Sequence, residues 1–475
     1  MKIKAFILLL VISASACSVL SGPAGAPSPS AAFVVPTFYL VQPSPTGLPP
    51  TQALPTFDVH LPSPTPFPLT ATPTLIPTAT QNPAWPVATL EIVSSLPKSG
   101  PTASIALSLV RAERLRLEQS HLQACGGKYG LALDDWTDAF TQPARYDPTL
   151  ESANAYQATR TASVIAYVGA FTSDAAKLVI PILDQAGPLL LLSPTSSYAG
   201  LTKAVLRQPG EPDKYYPAGV RNFARVISTD DLQGTVSAGF LAKVLGIKTV
   251  FILDDEELYG QTVSDAFEST ATLLGVKVLG HEAIKPRAES YQTLMWRIAA
   301  SNNGHPPDAI FASVLSPNDA SQLLQDKVSV IGDNTKVRFM GSAATYAQSF
   351  IEGAGPLTAE GAYVAAPGLP FPNGLTDAGK QFVQDYQAAY SQLADPSAIY
   401  AYESVNVLLK AIENICAAGG DPTNRRQVRD AVFNIHKFDG VLGTWAFDQN
   451  GDTTLTDMTV YQVQNGIFQV IATSK

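Results

Sequence analysis

From residue 88 onward, short apolar runs alternate with longer amphipathic stretches. The strand-like runs read "ATLEIVSS", "YGLALDDW", "SVIAYVGA", "PLLLLSP", "KTVFILDD", "VKVLGHE", "DAIFASV" and "VRFMG". Between them lie stretches with helical spacing, such as "TASIALSLVRAERLRLEQSHLQ" and "YGQTVSDAFESTATLLG". Strand, helix, strand in repeated order predicts parallel sheets covered by helices on both faces. Two sets of about four such units predict two similar α/β lobes, each a doubly wound parallel sheet. In such sheets a ligand sits beyond the carboxyl ends of the strands. The loops directly after each run are therefore the place to look for function.

Those loops are small and polar: "SSLPKSGP", "GAFTSDAA", "SPTSSYAG", "DDEELYG", "SVLSPND" and "GSAATYA". Their hydroxyls and free backbone N–H groups suit a small polar ligand. Each loop taken alone reads as well as a helix cap after a tight turn. Six of them across two lobes favour a shared cleft.

Composition changes the picture at the amino end. Of 37 prolines, 17 fall between Pro23 and Pro86, so the folded part is much shorter than the 475-residue chain. Residues 1–16 have the layout of an export signal: Lys2 and Lys4, the apolar "AFILLLVI", then the small residues "SASA". Cys17 follows directly, an order that resembles the lipobox of bacterial lipoproteins, with Ala14 where leucine is commoner. The resemblance implies cleavage before Cys17, a lipid on its sulfur and attachment to the outer face of the cell membrane. Residues 17–87 are rich in Pro, Thr and Ser, with Asp58 as the only acid. Proline removes donors and fixes φ, so this stretch is expected to be a disordered, semi-stiff tether without helix or ladder. Its reach is on the order of 200 Å at ~3.1 Å per residue. A net charge of −9 without a Lys/Arg block offers no footprint for nucleic acid.

The four consecutive acids of "ILDDEELYG" (Ile252 to Gly260) raise the question of catalysis or metal binding. Neighbouring residues at a strand end point to opposite sides, so the four cannot converge on one ion. "DQNGD" (Asp448 to Asp452) lacks the closing glutamate of a calcium loop and reads as a hairpin turn on Asn450-Gly451. The five histidines are scattered, and no nucleophile elbow, phosphate loop or zinc motif is present. The acids read as the lip of a cleft, with Asp255 and Glu256 capping the helix that begins near Tyr259. No metal, cofactor or catalytic residue is expected.

"RVISTDDLQG" (Arg225 to Gly234), "LDDEELYGQ" and "FDGVLGTWAFDQNGD" (Phe438 to Asp452), together with "VGAFTSDAA" and "LLSPTSS", resemble the substrate-binding proteins of ABC transporters, in the leucine/isoleucine/valine-binding branch. The likeness runs in order through 88–475. It implies a type I periplasmic-binding fold, monomeric, with a small solute closed between two lobes and delivered to a membrane permease. It implies lobe 1 at about 88–225 and 366–443, and lobe 2 at about 226–363 and 447–475. Hinge crossings follow near Arg225–Thr229, Val364–Pro367 and Gly443–Phe447. It further implies that Ser173 and Thr195, Ser196 and Ser197 hold a ligand carboxylate through hydroxyls and backbone N–H groups, and that Tyr259 closes over the ligand. In the second lobe Ser316, Ser342 and Ala343 are the matching positions. Ala343 departs from the family, which places there an acid for the ligand's ammonium. Asp174, Asp255, Glu256 and Asp319 are the candidates to replace it. Cys125 and Cys416, each expected at a helix end before "GG", both fall in the family's first lobe, which implies a disulfide in an exported protein. The leading expectation is an importer component for an amino-acid-like or amide-like solute. A ligand-sensing lipoprotein of the same fold is the alternative, and an enzyme the remote one.

Overall fold

The apolar runs pair into two separate sheets, because the strands connected by crossover helices have partners only within their own half of the chain. The computed structural model describes residues 36–41, 86–100, 102–139, 146–204 and 208–474. The export signal, Cys17 and most of the expected tether lie outside the described residues.

The first sheet runs in the spatial order Gln123–Ala124, Tyr129–Thr137, Ala88–Leu96, Val164–Val168, Leu190–Ser193, Phe223–Arg225. All neighbours are parallel except the first pair. The second sheet runs Phe38–Leu40, Ile467–Ser474, Met458–Gln464, Tyr363–Pro367, Arg338–Gly341, Ala309–Ser313, Thr249–Asp254, Lys277–Ala283. Its last five strands are parallel and its first three are antiparallel additions. Both sheets are doubly wound, as the alternating pattern predicts. Their central strands are buried on both faces, for example Val164–Val168 and Ala309–Ser313 throughout. Such strands cannot alternate in polarity, hence their continuous apolar runs.

The chain returns to lobe 1 for three helices, Asp377–Tyr390, Ala398–Ala417 and Arg425–Phe433. Ala398–Ala417 is apolar nearly all round because it lies between the sheet and the helix Ala103–Gln119, with Val405, Leu408 and Ile412 fully covered. Its buried Glu403 is retained because it accepts hydrogen bonds from Trp445 Nε1 (2.8 Å) and from the amides of Val441 and Leu442. Burial pushes its pKa up, and these donors oppose the shift. The carboxylate thereby fastens the hairpin Phe438–Gly440/Gly443–Trp445 to the lobe 1 core.

Four expectations need correction. Phe38–Leu40 lies within the expected tether yet forms a strand on the edge of the lobe 2 sheet. Its sequence is "FYL" followed by valine, strand-forming residues free of proline. The third crossing lies beyond Asp452, not at Gly443–Phe447. Trp445 and Phe447 are packed into the lobe 1 core, and the Arg225 amide donates to Gly451 O (2.9 Å). The second crossing follows Pro367, because Tyr363–Pro367 is a full strand of lobe 2 while Leu369 and Phe371 already pack on lobe 1. Finally, Cys125 is not at a helix end. The helix stops at Gln119, and Cys125 sits at φ 56° in a turn continued by Gly126 and Gly127, both also at positive φ. Cys416 does lie in the last turn of its helix. The structure joins the two sulfurs, with Cα atoms 6.0 Å apart.

Arg225 and Asp452 lock the turn "DQNGD" to the end of Phe223–Arg225. Both are almost fully buried, with Arg225 Nε 2.7 Å from Asp452 Oδ1. The guanidinium also donates to Ser196 O (3.1 Å), Tyr198 O (2.7 Å) and Thr202 Oγ1. Lys203 Nζ adds a 3.0 Å contact to Asp452. Burial works to raise the Asp452 pKa, but Arg225 and Lys203 outweigh it and hold it below the ordinary range. A carboxyl with a depressed pKa stabilises the fold above its unfolded pKa and ceases to as pH falls through the folded value. Arg225→Met is expected to lower the free energy of unfolding by about 3–5 kcal/mol at pH 7. Arg225→Lys should rescue little, since one ammonium cannot fork to four acceptors. The penalty measured by urea titration should shrink below about pH 4, where aspartate protonates. Alkylation of the unreduced, denatured protein should leave Cys125 and Cys416 unlabelled. Reduction should lower the melting temperature, as a covalent link across a long loop restricts the unfolded chain by about 2–4 kcal/mol.

Candidate binding cleft

The strand ends of the two sheets face one another across a cleft of about 1330 Å³ of empty space, part of it open to solvent. One wall belongs to lobe 1. The strand Val164–Val168 delivers Phe171 and Thr172, and Thr172 then caps the helix Ser173–Asp184 by accepting from the Ala175 amide (3.2 Å). The strand Leu190–Ser193 delivers Thr195 and Ser197. The N-terminal turn of Ala103–Gln119 adds Thr102 and Ile105.

The hydroxyls of this wall are not equivalent. Ser173 Oγ accepts from the Tyr198 amide (3.1 Å), so its own hydrogen stays available to a ligand. Ser197 lines the cleft, and its hydroxyl makes no hydrogen bond among the described residues. Thr195 also lines it, but donates its hydrogen to Phe171 O (2.8 Å) and presents only lone pairs. Ser196 is buried behind the wall, donating to Ala170 O (2.8 Å). The Ser196 and Thr195 amides both go to Ser193 Oγ. The four positions expected from sequence are therefore brought together, yet only Ser173 and Ser197 offer donors.

The opposite wall is built around Gln233, which reading the sequence passed over although it lies inside "STDDLQG". Its side chain is buried, and its Oε1 accepts from Tyr259 Oη (2.8 Å) and the Ala343 amide (2.9 Å). The Ala344 amide donates to Tyr259 Oη (3.3 Å), which closes the network. Burial pushes the phenol pKa up to about 12, so Tyr259 stays neutral. Its ring lines the cleft while its hydroxyl is held by the protein. Ala343 lines the cleft too, with a methyl group where an acid was anticipated. Ser342 is fully buried, and Ser316 is spent capping Pro317–Ile331 through the Asp319 amide (3.3 Å); neither lines the cleft, whereas Leu315 does.

The four adjacent acids part company as strand geometry requires. Asp254 meets His281 Nε2 (2.8 Å), and Asp255 accepts from the Leu315 amide (2.8 Å). Glu256 is exposed at φ 57°, and Glu257 lines the cleft. The N-cap residue Glu257 makes no capping bond to the helix Leu258–Leu273, whereas Asp255 Oδ1 accepts from the Glu257 amide (3.3 Å) just before it. Asp319 accepts from the Arg287 amide (2.7 Å) and is not part of the lining. The carboxylates that do line the cleft are Asp174, Glu257 and Asp395. Asp174 is 3.6 Å from Lys177, and Asp395 is held by the amide and hydroxyl of Ser397.

The deep end is apolar and aromatic. Tyr346 stacks on Tyr461 (centroids 4.1 Å apart, 22° between planes), and Phe371, Ile399, Tyr400 and Leu442 complete it. These come from both lobes, at positions too scattered in sequence to mark as one site. Asp230 ties the walls together at the first crossing. Fully buried, it accepts from the Ala199 amide (3.1 Å) on one lobe and from Thr262 Oγ1 (2.6 Å) on the other. Burial pushes its pKa up to about 7.

Away from the cleft, Asp265, Glu268 and His281 bring donor atoms within 4.8 Å of one another, a convergence the scattered histidines did not suggest. His281 already bridges Glu268 (2.7 Å) and Asp254 (2.8 Å), and the Asp254 bond foremost raises its pKa. The cleft itself presents hydroxyl donors at one end and aromatic surface at the other, an arrangement for holding a ligand.

Comparison with known proteins agrees with that arrangement. The profile of the family described as "Periplasmic binding protein" matches residues 89–467. An amino acid binding protein of Pseudomonas aeruginosa is 24% identical over 299 residues, covering 63% of this chain and 71% of that protein. Among solved structures, the branched-chain amino acid transporter substrate-binding protein LivJ of Streptococcus pneumoniae, in complex with isoleucine, superposes with a TM-score of 0.68 at 18% identity. It covers 82% of this chain and all of its own. A solute-binding protein of an R. palustris ABC transporter, in complex with benzoate, gives 0.65 at 16% identity, covering 81% and 96%. At such identities the structures establish the fold, and the profile, matched across both lobes, establishes that this chain belongs to the periplasmic binding protein family, as a solute-binding protein and not an enzyme.

Proposed function

We propose that this protein is exported, lipid-anchored at Cys17, and captures a small solute with an acid or amide end and an apolar body, which it delivers as a monomer to an ABC importer in the membrane. The observation that carries the ligand class is the asymmetry of the cleft. Ser173 and Ser197 offer hydroxyl donors beside the N-terminus of Ser173–Asp184, which favours negative charge. Facing them are Ala343 and an aromatic floor. Isoleucine and benzoate, held by the two solved relatives, each pair a carboxylate with an apolar body; only isoleucine adds an ammonium. An ammonium buried without a carboxylate partner costs several kcal/mol, on the order of a thousandfold in affinity. Asp319 and Asp255 accept from backbone amides, and of the acids that line the cleft Asp174 lies 3.6 Å from Lys177 and Asp395 is held by Ser397, so an ammonium would have to compete with those partners.

Calorimetry with leucine, isoleucine and valine, against their deaminated acids and benzoate, tests this reading. The acids without an ammonium are expected to bind more tightly, and sub-micromolar affinity for any of the three amino acids would overturn the assignment. Ser173→Ala should weaken a carboxylate ligand by about tenfold or more, the worth of a hydrogen bond to a charged group at ~1.5–3 kcal/mol.

Gln233→Ala removes the acceptor shared by Tyr259 and Ala343. It is expected to cost about 1–3 kcal/mol of stability through the unpaired phenol. The loss of ligand affinity should exceed that of Ser197→Ala, because the whole second wall loses its support. Equal affinity in Gln233→Ala and the parent chain would show that the network does not shape the site.

A further inference from the structure

The strand Phe38–Leu40 belongs to the wrong lobe for a simple tether. The chain enters lobe 1 at Ala88–Leu96, the centre of that sheet, yet 48 residues earlier it is already paired to lobe 2. Phe38 pairs with Ser474, Tyr39 with Thr473 and Leu40 with Ala472, all antiparallel, and the Val41 amide donates to Ile471 O (3.0 Å). Phe38 is partly buried and packs edge-on to Phe240 (5.8 Å), which in turn meets Tyr363 (5.6 Å), so the strand is keyed into the lobe 2 core. Without it, Ile467–Ser474 would be an open sheet edge. Pro36 and Pro43 bracket the segment, and proline cannot extend a ladder.

We propose that lobe 2, through this strand, is the part held to the membrane, and that residues 41–85 form a fourth link between the lobes instead of a tether. The proposal rests on the reading of Cys17 as a lipid anchor. Only 20 residues then separate the anchor from the folded protein, 18–37, with a reach of at most about 70 Å against the 200 Å of a full tether. The 45 residues from 41 to 85 can span up to about 150 Å, so this link does not restrain the hinge. Lobe 1 is therefore the lobe that moves relative to the membrane when the cleft opens.

Two arms test this. In the exported full chain carrying Cys17→Ser, the pair Tyr39→Cys with Thr473→Cys should crosslink under mild oxidation at least tenfold faster than Tyr39→Cys with Asn465→Cys at the far turn of the same hairpin. Phe38→Asp should abolish the difference. Equal rates for the two pairs overturn the strand attachment. In the second arm the lipid-bearing chain is placed on phosphatidylglycerol vesicles, with a dye on lobe 2 and an acceptor in the bilayer. Removing 20 residues within 45–80 should leave the energy transfer unchanged, and removing ten within 20–35 should increase it. An increase from the 45–80 deletion overturns the proposal in favour of attachment through lobe 1. A chain with no acyl mass at Cys17 overturns the anchoring reading and the membrane half of this proposal, while the crosslink still decides the strand.

Discussion

The buried pair of Arg225 and Asp452 is the constraint on which the rest of the molecule depends. A guanidinium removed from water is tolerable only when its N–H groups find acceptors, and here four acceptors come from three places along the chain. One is the turn after Phe447, which sets where the third crossing begins. Another is the loop from Ser196 to Tyr198, the wall of the cleft. The third, Thr202, leads out of that loop. A single cation thus fixes the turn before the third crossing and the Ser196–Tyr198 wall of the cleft relative to each other.

The same economy of polar groups shapes the cleft. Main-chain groups at strand ends need partners when buried, and the side chains nearest to them are the small hydroxyl residues that also look suited to a ligand. Thr195 and Ser196 are consumed by the carbonyls of Phe171 and Ala170, and Ser316 by the Asp319 amide. Ser173 and Ser197 are spared. On the opposite wall, a glutamine oxygen takes both a phenol and an amide, which holds the Tyr259 ring in the cleft lining at the cost of its hydroxyl. The cleft then presents a small number of donors against a broad aromatic floor.

Asp230 shows how closely binding and hinge motion are joined. Its carboxylate accepts from an amide two residues beyond Ser197 and from a threonine one turn along from Tyr259. Any rotation of one lobe against the other must rearrange these bonds. The cleft wall and the first crossing thus share one hydrogen-bonded carboxyl group.

The apolar runs by themselves determined the two doubly wound sheets, since a strand covered on both faces must be continuously apolar whatever its neighbours are. They also placed the cleft at the carboxyl ends of the strands, and the small polar loops after "AYVGA" and "LLLLSP" marked most of its lobe 1 hydroxyls. Other features were decided only by tertiary packing. Gln233 carries no local signature, because its role comes from two partners, 26 and 110 residues away. Tyr346 and Tyr461 stack within lobe 2 from segments 115 residues apart, which no local pattern records. Asp255 and Asp319 looked available for a ligand in sequence, but the backbone amides of Leu315 and Arg287 claimed them. Phe38–Leu40 was obscured by the prolines around it; the exposed edge of Ile467–Ser474, which the folded lobe alone creates, gives those three residues a ladder to join. Local pattern dictates which segments must be buried, and the competition among buried polar groups for partners decides which side chains remain to meet a ligand.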